Sequence, residues 1–251
     1  MKVSIVTISY NNGESLKQTI DSVLNQDYSN IEYIIIDGAS TDNSMEVIRS
    51  YGDRIHRVVS EPDNGIYDAM NKGVELATGE VIGLVNSEDM LNSNDCISEI
   101  VKVFELTGAD VVYGDLVVVK PVDQNKIIRY WRSGEYNRDA FRKGWMAPHM
   151  ATYIKKKLYD QYGGYSPEFR ISADYELMLR FMYKHKAKAV YVPKIIIKML
   201  AGGVSNDSLK NYWISNYEVY KSWKVNGIRV SPFIILRKPL SKIFQFLRLA
   251  Q

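Results

Sequence analysis

The chain predicts an α/β protein built on a mostly parallel, doubly wound sheet flanked by helices. Three observations predict it. Short apolar, β-branched runs recur through the first half of the 251 residues, and each is followed by a segment with helical spacing. Turn and cap residues separate the two kinds of segment. Each of the first four runs also ends in polar or acidic residues, and on an open parallel sheet ligands bind outside the carboxyl ends of the strands.

The elements follow in order. Val3–Ser9 reads as the first strand, turned by Asn11-Asn12-Gly13 into a helix over 14–25 with Leu16, Ile20, Val23 and Leu24 on one face. Ile31–Ile36 is the second strand, ending in Asp37-Gly38, and Thr41-Asp42-Asn43-Ser44 offers caps for a helix running to about Ser50. The third strand, Ile55–Ser60, ends in Glu61-Pro62. A helix over 66–77 follows, with Met70 and Val74 inward and Gly79 beyond its end. The fourth strand is Val81–Val85, before a helix over 95–106 and a strand at Val111–Tyr113. The second half is less regular. Val117–Val119 and Ile127–Tyr130 flank a hairpin-like turn, Gly163-Gly164-Tyr165 is a tight turn, and Ala173–His185 carries a strong helix signal.

The fourth strand runs straight into Asn86-Ser87-Glu88-Asp89. Two adjacent carboxylates at the edge of a core are costly unless a cation or donors compensate, and a hard divalent cation carrying a phosphate would do so. Ser9-Tyr10-Asn11, Asp37-Gly38 and Glu61 lie at the neighbouring strand ends, so the four ends predict one shared site. Other chemistries lack their residues. No Gly-x-Gly-x-x-Gly or Gly-Lys-Ser/Thr loop follows the first strand, no Gly-x-Ser-x-Gly elbow occurs, and one cysteine with three histidines cannot make a zinc cluster. A net charge of +3 argues against a nucleic-acid binder.

With Val3–Ser9, Tyr33–Ser44, Glu61–Gly73 and Leu84–Asp89 in view, the chain resembles the inverting family 2 glycosyltransferases of the GT-A, Rossmann-like fold. The segment Glu61-Pro62-Asp63-Asn64-Gly65-Ile66-Tyr67-Asp68-Ala69-Met70-Asn71-Lys72-Gly73 narrows the resemblance to transferases of bacterial colanic-acid, capsule and O-antigen synthesis, as do Asn86-Ser87-x-Asp89, His149, Ser172–Tyr175 and Gly202–Ser205. The resemblance covers roughly residues 1–205. It implies a nucleotide-sugar half over 1–115 and an acceptor-side, mixed half over 116–205, while 206–251 lies beyond it and reads from its composition as a C-terminal helical, basic and apolar segment.

The resemblance also implies roles. Thr7, Ser9, Asn11, Asp37, Gly65, Lys72, Asn86 and Glu88 would bind the nucleotide sugar, most simply a UDP-sugar, with Asp37 accepting from the base and Lys72 at the phosphates or paired with Asp68. Asp89 would ligate Mn²⁺ or Mg²⁺. Asp174, at a helix start, would be the general base, with Glu176 as the alternative, since Ala173 stands where the family often has a glutamate. His149, Trp145 and Gly203 would face the acceptor or diphosphate, Tyr165 a sugar face, and Gly202–Ser205 a lid. The acceptor would be a saccharide or lipid-linked saccharide. A nucleotidyltransferase, which typically needs a basic loop after the first strand, and a non-catalytic sugar-nucleotide-binding relative are the alternatives.

After Glu218 the chain has no acidic residue but carries Lys221, Lys224, Arg229, Arg237, Lys238, Lys242 and Arg248. Together with two apolar stretches, this suits either peripheral membrane contact through 219–251 or a helix packed on the body. Cys96 is the only cysteine, and no stretch reaches a transmembrane length. The expectation is a cytoplasmic protein, with a place on the inner face of the plasma membrane as a variant.

Overall fold

The computed structural model describes residues 1–201 and 209–231. The first half forms β1 (Val3–Ser9), α1 (Gly13–Leu24), β2 (Ile31–Asp37), α2 (Ser44–Ser50), β3 (Arg57–Ser60), α3 (Ile66–Leu76) and β4 (Val81–Leu84). Then come β5 (Asp89–Leu91), α4 (Cys96–Thr107), β6 (Val111–Lys120) and β7 (Asp123–Trp131). The remainder is β8 (Thr152–Lys155), α5 (Lys156–Tyr162), α6 (Ala173–Met178), β9 (Ala189–Leu200) and α7 (Leu209–Val225).

Among the described residues the strands make one sheet in the order β3-β2-β1-β4-β8-β6-β9-β5, with β7 paired to β6. It is parallel through β3-β2-β1-β4 and mixed beyond. The change happens at β8, which runs antiparallel to both β4 and β6. Gly83 makes that pairing possible, because a Cβ there would lie 2.3 Å from the Tyr153 ring on β8. Every residue of β1 and β4 is buried, as expected of central strands covered on both faces. Gly73 lets α3 sit directly on the sheet, since its Cβ would lie 2.2 Å from Val6 Cγ1.

The second half departs from the expected elements in two places. The helix signal over Ala173–His185 divides into α6 and a π-helical turn, Leu179–Lys184. Strand β9 was not expected, and it holds Pro193. Tyr191 pairs with Tyr113 and Ile195 with Asp115, so the proline falls in the irregular stretch between, where a missing N–H is tolerated.

Helix α7 is the described part of the C-terminal segment, and it follows the second of the two readings, a helix packed on the body. It is helical, but it is no appendage. Val219, Ser222 and Trp223 are fully buried, and the Trp223 indole N–H donates to the Tyr175 hydroxyl at 3.1 Å. The basic-and-apolar tail from 232 onward lies outside the described residues. Among the described residues no helix is long and apolar enough to cross a membrane.

Candidate functional site

The carboxyl ends of β1 and β4 meet where the sequence placed them. The Val85 amide donates to Val6 O and the Ser87 amide to Ile8 O, which continues the pairing past β4 and sets Asn86–Asp89 beside Ser9. The segment then turns through Asp89 N–H to Asn86 O at 2.9 Å. Thr19 on α1 fixes the turn by donating to Asp89 O at 2.8 Å. The two carboxylates part here: Glu88 is exposed and Asp89 is 2 % exposed. Burial, reinforced by the Glu88 charge, pushes the Asp89 carboxyl up to about 8.

Ser9 Oγ, Asn86 Oδ1 and Asp89 Oδ2 are buried without a hydrogen-bond partner among the described residues. A buried polar atom left unpaired costs about 1–3 kcal/mol. Three such oxygens, on the ends of the adjacent strands β1 and β4, are therefore candidate contacts for a bound ligand or cation. Among the described residues no three His, Cys, Asp or Glu side chains converge on a metal position. A hard cation held by one or two carboxylates, its other positions filled by phosphate and water, is the kind of ion such a donor set fits.

The β2 end behaves differently. Asp37 is fully buried and already accepts from the Ser40 amide, the Ser40 hydroxyl and the Ser60 hydroxyl. It shapes the loop that Asn11 joins. Asn11 sits at φ +48°, donates its backbone N–H to the Ser40 hydroxyl, and accepts from the Thr41 N–H on its side-chain oxygen at 2.8 Å. Thr7 lies in the core, 3.0 Å from the Tyr33 hydroxyl, so it supports the sheet and lines no opening.

Gly65 enters α3 at φ +110°, a conformation open mainly to glycine. Lys72 sits 2.9 Å from Glu61 and 3.7 Å from Asp68, and donates to Pro62 O, so the expected Asp68 pair exists but Glu61 is the closer partner. The same helix carries two residues given no individual role in the sequence reading. Asn71 exchanges two 2.8 Å hydrogen bonds with the Tyr165 backbone. Tyr67 donates to Ile171 O at 2.7 Å, and its hydroxyl lies 3.4 Å from Asp174 Oδ1. Positions 67 and 71 share a helix face. Both stood in the quoted motif, but nothing local reveals partners some hundred residues away.

Asp174 is half-buried in the first turn of α6, where Oδ1 accepts the Tyr175 N–H at 2.8 Å. Glu176 is a different group. It is buried in a two-pronged ion pair with Arg180, both contacts 2.9 Å, and also accepts from Asn226. Arg180 in turn donates to the carbonyls of Tyr162, Gly163 and Gly164. Glu176 thus ties α6 to the 163–164 turn and is committed before any substrate arrives.

His149 Nε2 lies 2.7 Å from the Tyr165 hydroxyl, and burial holds the imidazole below its ordinary pKa against the opposing pull of Asp174. Tyr165 is buried and stacks on Tyr67 at 5.7 Å, so it backs the site instead of offering a sugar-binding face. Trp145 gives its indole N–H to Ser133 O and packs edge-on against Phe141 and Tyr113, a structural setting. Gly203 and the expected lid lie outside the described residues.

Comparison with known proteins now adds to this geometry. The family model Glycosyl transferase family 2 matches residues 4–171. An uncharacterised glycosyltransferase of Mycobacterium tuberculosis (strain CDC 1551 / Oshkosh) is 32% identical over 188 residues, 71% of this chain and 68% of its own. A PGL/p-HBAD biosynthesis glycosyltransferase of Mycobacterium bovis (strain BCG / Pasteur 1173P2) is 27% identical over 81% of this chain and 78% of its own. Among solved structures, S. aureus TarS 1-349 in complex with UDP-GlcNAc superposes with a TM-score of 0.74 at 15% identity, over 100% of this chain and 74% of that one. The mannosyltransferase PcManGT of Pyrobaculum calidifontis, in complex with GDP-Man and Mn2+, gives 0.65 at 18%, over 99% and 70%. The α/β fold is GT-A-like, and the chain belongs to glycosyl transferase family 2.

Proposed function

We propose that this glycosyltransferase moves a sugar, with inversion, from a UDP-sugar to a hydroxyl of a saccharide or lipid-linked saccharide during capsule, exopolysaccharide or O-antigen synthesis. The observation that carries the reading is the trio of unpartnered buried oxygens, Ser9 Oγ, Asn86 Oδ1 and Asp89 Oδ2, at the β1 and β4 ends. The TarS complexes with UDP-GlcNAc and with UDP support a uridine donor, and the PcManGT complex with Mn2+ supports a divalent cation. The mycobacterial PGL/p-HBAD biosynthesis relative supports a glycan or glycolipid acceptor.

Asp89, with Glu88 beside it at the surface, would hold Mn²⁺ or Mg²⁺. Bound there, the cation offsets the charge that gathers on the departing diphosphate. Ser9, Asn86 and Asn11 line the nucleotide side, and the Asp37 and Gly65 loops give it shape. Lys72, braced by Glu61 and Asp68, sets a positive charge beside those loops.

Asp174 takes the proton of the acceptor hydroxyl as that oxygen attacks the anomeric carbon. The bond from that carbon to the diphosphate breaks on the opposite face, which inverts the configuration. Glu176 cannot share the task while both its oxygens face Arg180. The single cysteine is in keeping with a reducing compartment, so the reaction would run on the cytoplasmic side, at the inner face of the membrane if the acceptor is lipid-linked.

A panel of UDP- and GDP-sugars with Mn²⁺, read by thermal shift and nucleotide release, tests the reading. A UDP-sugar should stabilise the protein and release UDP. Asp174→Asn should cut release by about 10²–10⁴-fold while UDP still binds. Binding without release for every donor would overturn the enzymatic reading and leave a non-catalytic sugar-nucleotide-binding relative, and absence of both would overturn the nucleotide-sugar site itself.

A further inference from the structure

We infer that Glu218 on α7 is a positioning residue for Asp174, an inference resting on the base assignment above. Glu218 is 6 % exposed. One carboxylate oxygen accepts the Arg170 N–H at 2.8 Å, and the other accepts those of Ile171 and Ser172 at 2.9 and 2.8 Å. These are the residues leading directly into α6. Ile171 is held from both sides, its N–H by Glu218 on α7 and its carbonyl by the Tyr67 hydroxyl on α3.

The start of α6 depends on this grip. Ser172 occupies the N-cap position, yet its side chain makes no capping bond. Its hydroxyl instead lies 3.0 Å from the Ser215 hydroxyl of α7. The first turn is therefore set from outside, by a carboxylate on three consecutive amides, and hydrogen bonds to a carboxylate are about twice as strong as neutral ones. α7 is anchored for the task by Trp223, which is fully buried and bonded to Tyr175, the neighbour of Asp174. Glu218 touches no reacting atom. It fixes where the Asp174 carboxylate stands, and a displacement of about 1 Å at a reacting group costs on the order of 10²-fold in rate.

The experiment uses the full chain and four variants: Glu218→Gln, Asp174→Asn, the pair combined, and Val219→Ala. Val219→Ala is a destabilised control on the same helix. Amide exchange is followed across 168–176, and UDP release is measured from the UDP-sugar that the wild type turns over with Mn²⁺. Glu218→Gln should speed exchange of amides 170–172 by about tenfold or more and lower kcat by about 10–100-fold, with donor KM within twofold. In the Asp174→Asn background it should change the residual rate by less than about twofold, because no base remains to be placed. Val219→Ala should lower Tm with kcat within about twofold. Glu218→Gln with the kcat of Val219→Ala, or with an undiminished effect in the Asp174→Asn background, would overturn the inference. Full turnover by Asp174→Asn alone would instead overturn the base assignment.

Discussion

The Tyr67 hydroxyl stands 3.4 Å from Asp174 Oδ1 while donating to Ile171 O at 2.7 Å. Tyr67 belongs to α3, and Asp174 lies in the first turn of α6, about a hundred residues later. One phenol therefore joins the half that would carry the donor to the residue that would activate the acceptor. With Asn71 clasping Tyr165 one turn along, one face of α3 holds both the Tyr165 backbone and the residues leading into α6.

Tyr67→Phe keeps the ring that stacks on Tyr165 and removes only the hydroxyl. The lost hydrogen bond should lower stability by about 0.5–1.5 kcal/mol in urea unfolding. Because the missing bond holds the residues before Asp174, kcat should fall about tenfold. UDP affinity, measured by calorimetry, should stay within about twofold.

Without metal, Asp89 should make the protein less stable as pH rises. Its folded pKa of about 8 lies above the ordinary 3.8, so between those values the native state keeps a proton that the unfolded chain has lost. Stability then falls with pH, by up to about 1.4 kcal/mol per unit. His149, held below its ordinary value of 6.5, acts the opposite way and only below that pH. In EDTA the wild-type Tm should therefore drop from pH 6.5 to 8. Asp89→Asn should flatten that slope, and Mn²⁺ should restore Tm at pH 8 in the wild type alone.

Trp223→Ala should test whether α7 belongs to the body. The indole is fully buried, packs edge-on at 4.9 Å against Tyr183, and bonds to Tyr175. Its removal should cost about 3–5 kcal/mol in equilibrium unfolding. An independent appendage would show a second transition with the main one unmoved.

The sequence made β1, β2 and β4 legible because central strands need unbroken apolar runs, and it marked a candidate site because those runs stop at Ser9, Asp37 and Asn86–Asp89. It could not tell which polar ends are already satisfied. Asp37 at its strand end and Thr7 two residues before the end of β1 have the right residue types, yet their oxygens are engaged by Ser40, Ser60 and Tyr33. Strand β9 was hidden by Pro193, whose tolerance depends on an irregularity in pairing with β6. Glu218 carried no signal either. It is a lone acid in an aromatic-rich helix, and its partners are backbone amides 46 to 48 residues earlier, without side-chain identity to read.

Calorimetric titration of UDP into the wild type and Asp89→Asn, each with Mn²⁺ and with EDTA, tests the central claim most directly. That claim is that the oxygens at the β1 and β4 ends hold a cation-bridged nucleoside diphosphate. Wild-type affinity should be about tenfold or more higher with Mn²⁺, and Asp89→Asn should bind UDP weakly and alike in both conditions. Equal wild-type affinity in Mn²⁺ and EDTA, or a full Mn²⁺ effect surviving in Asp89→Asn, would contradict it.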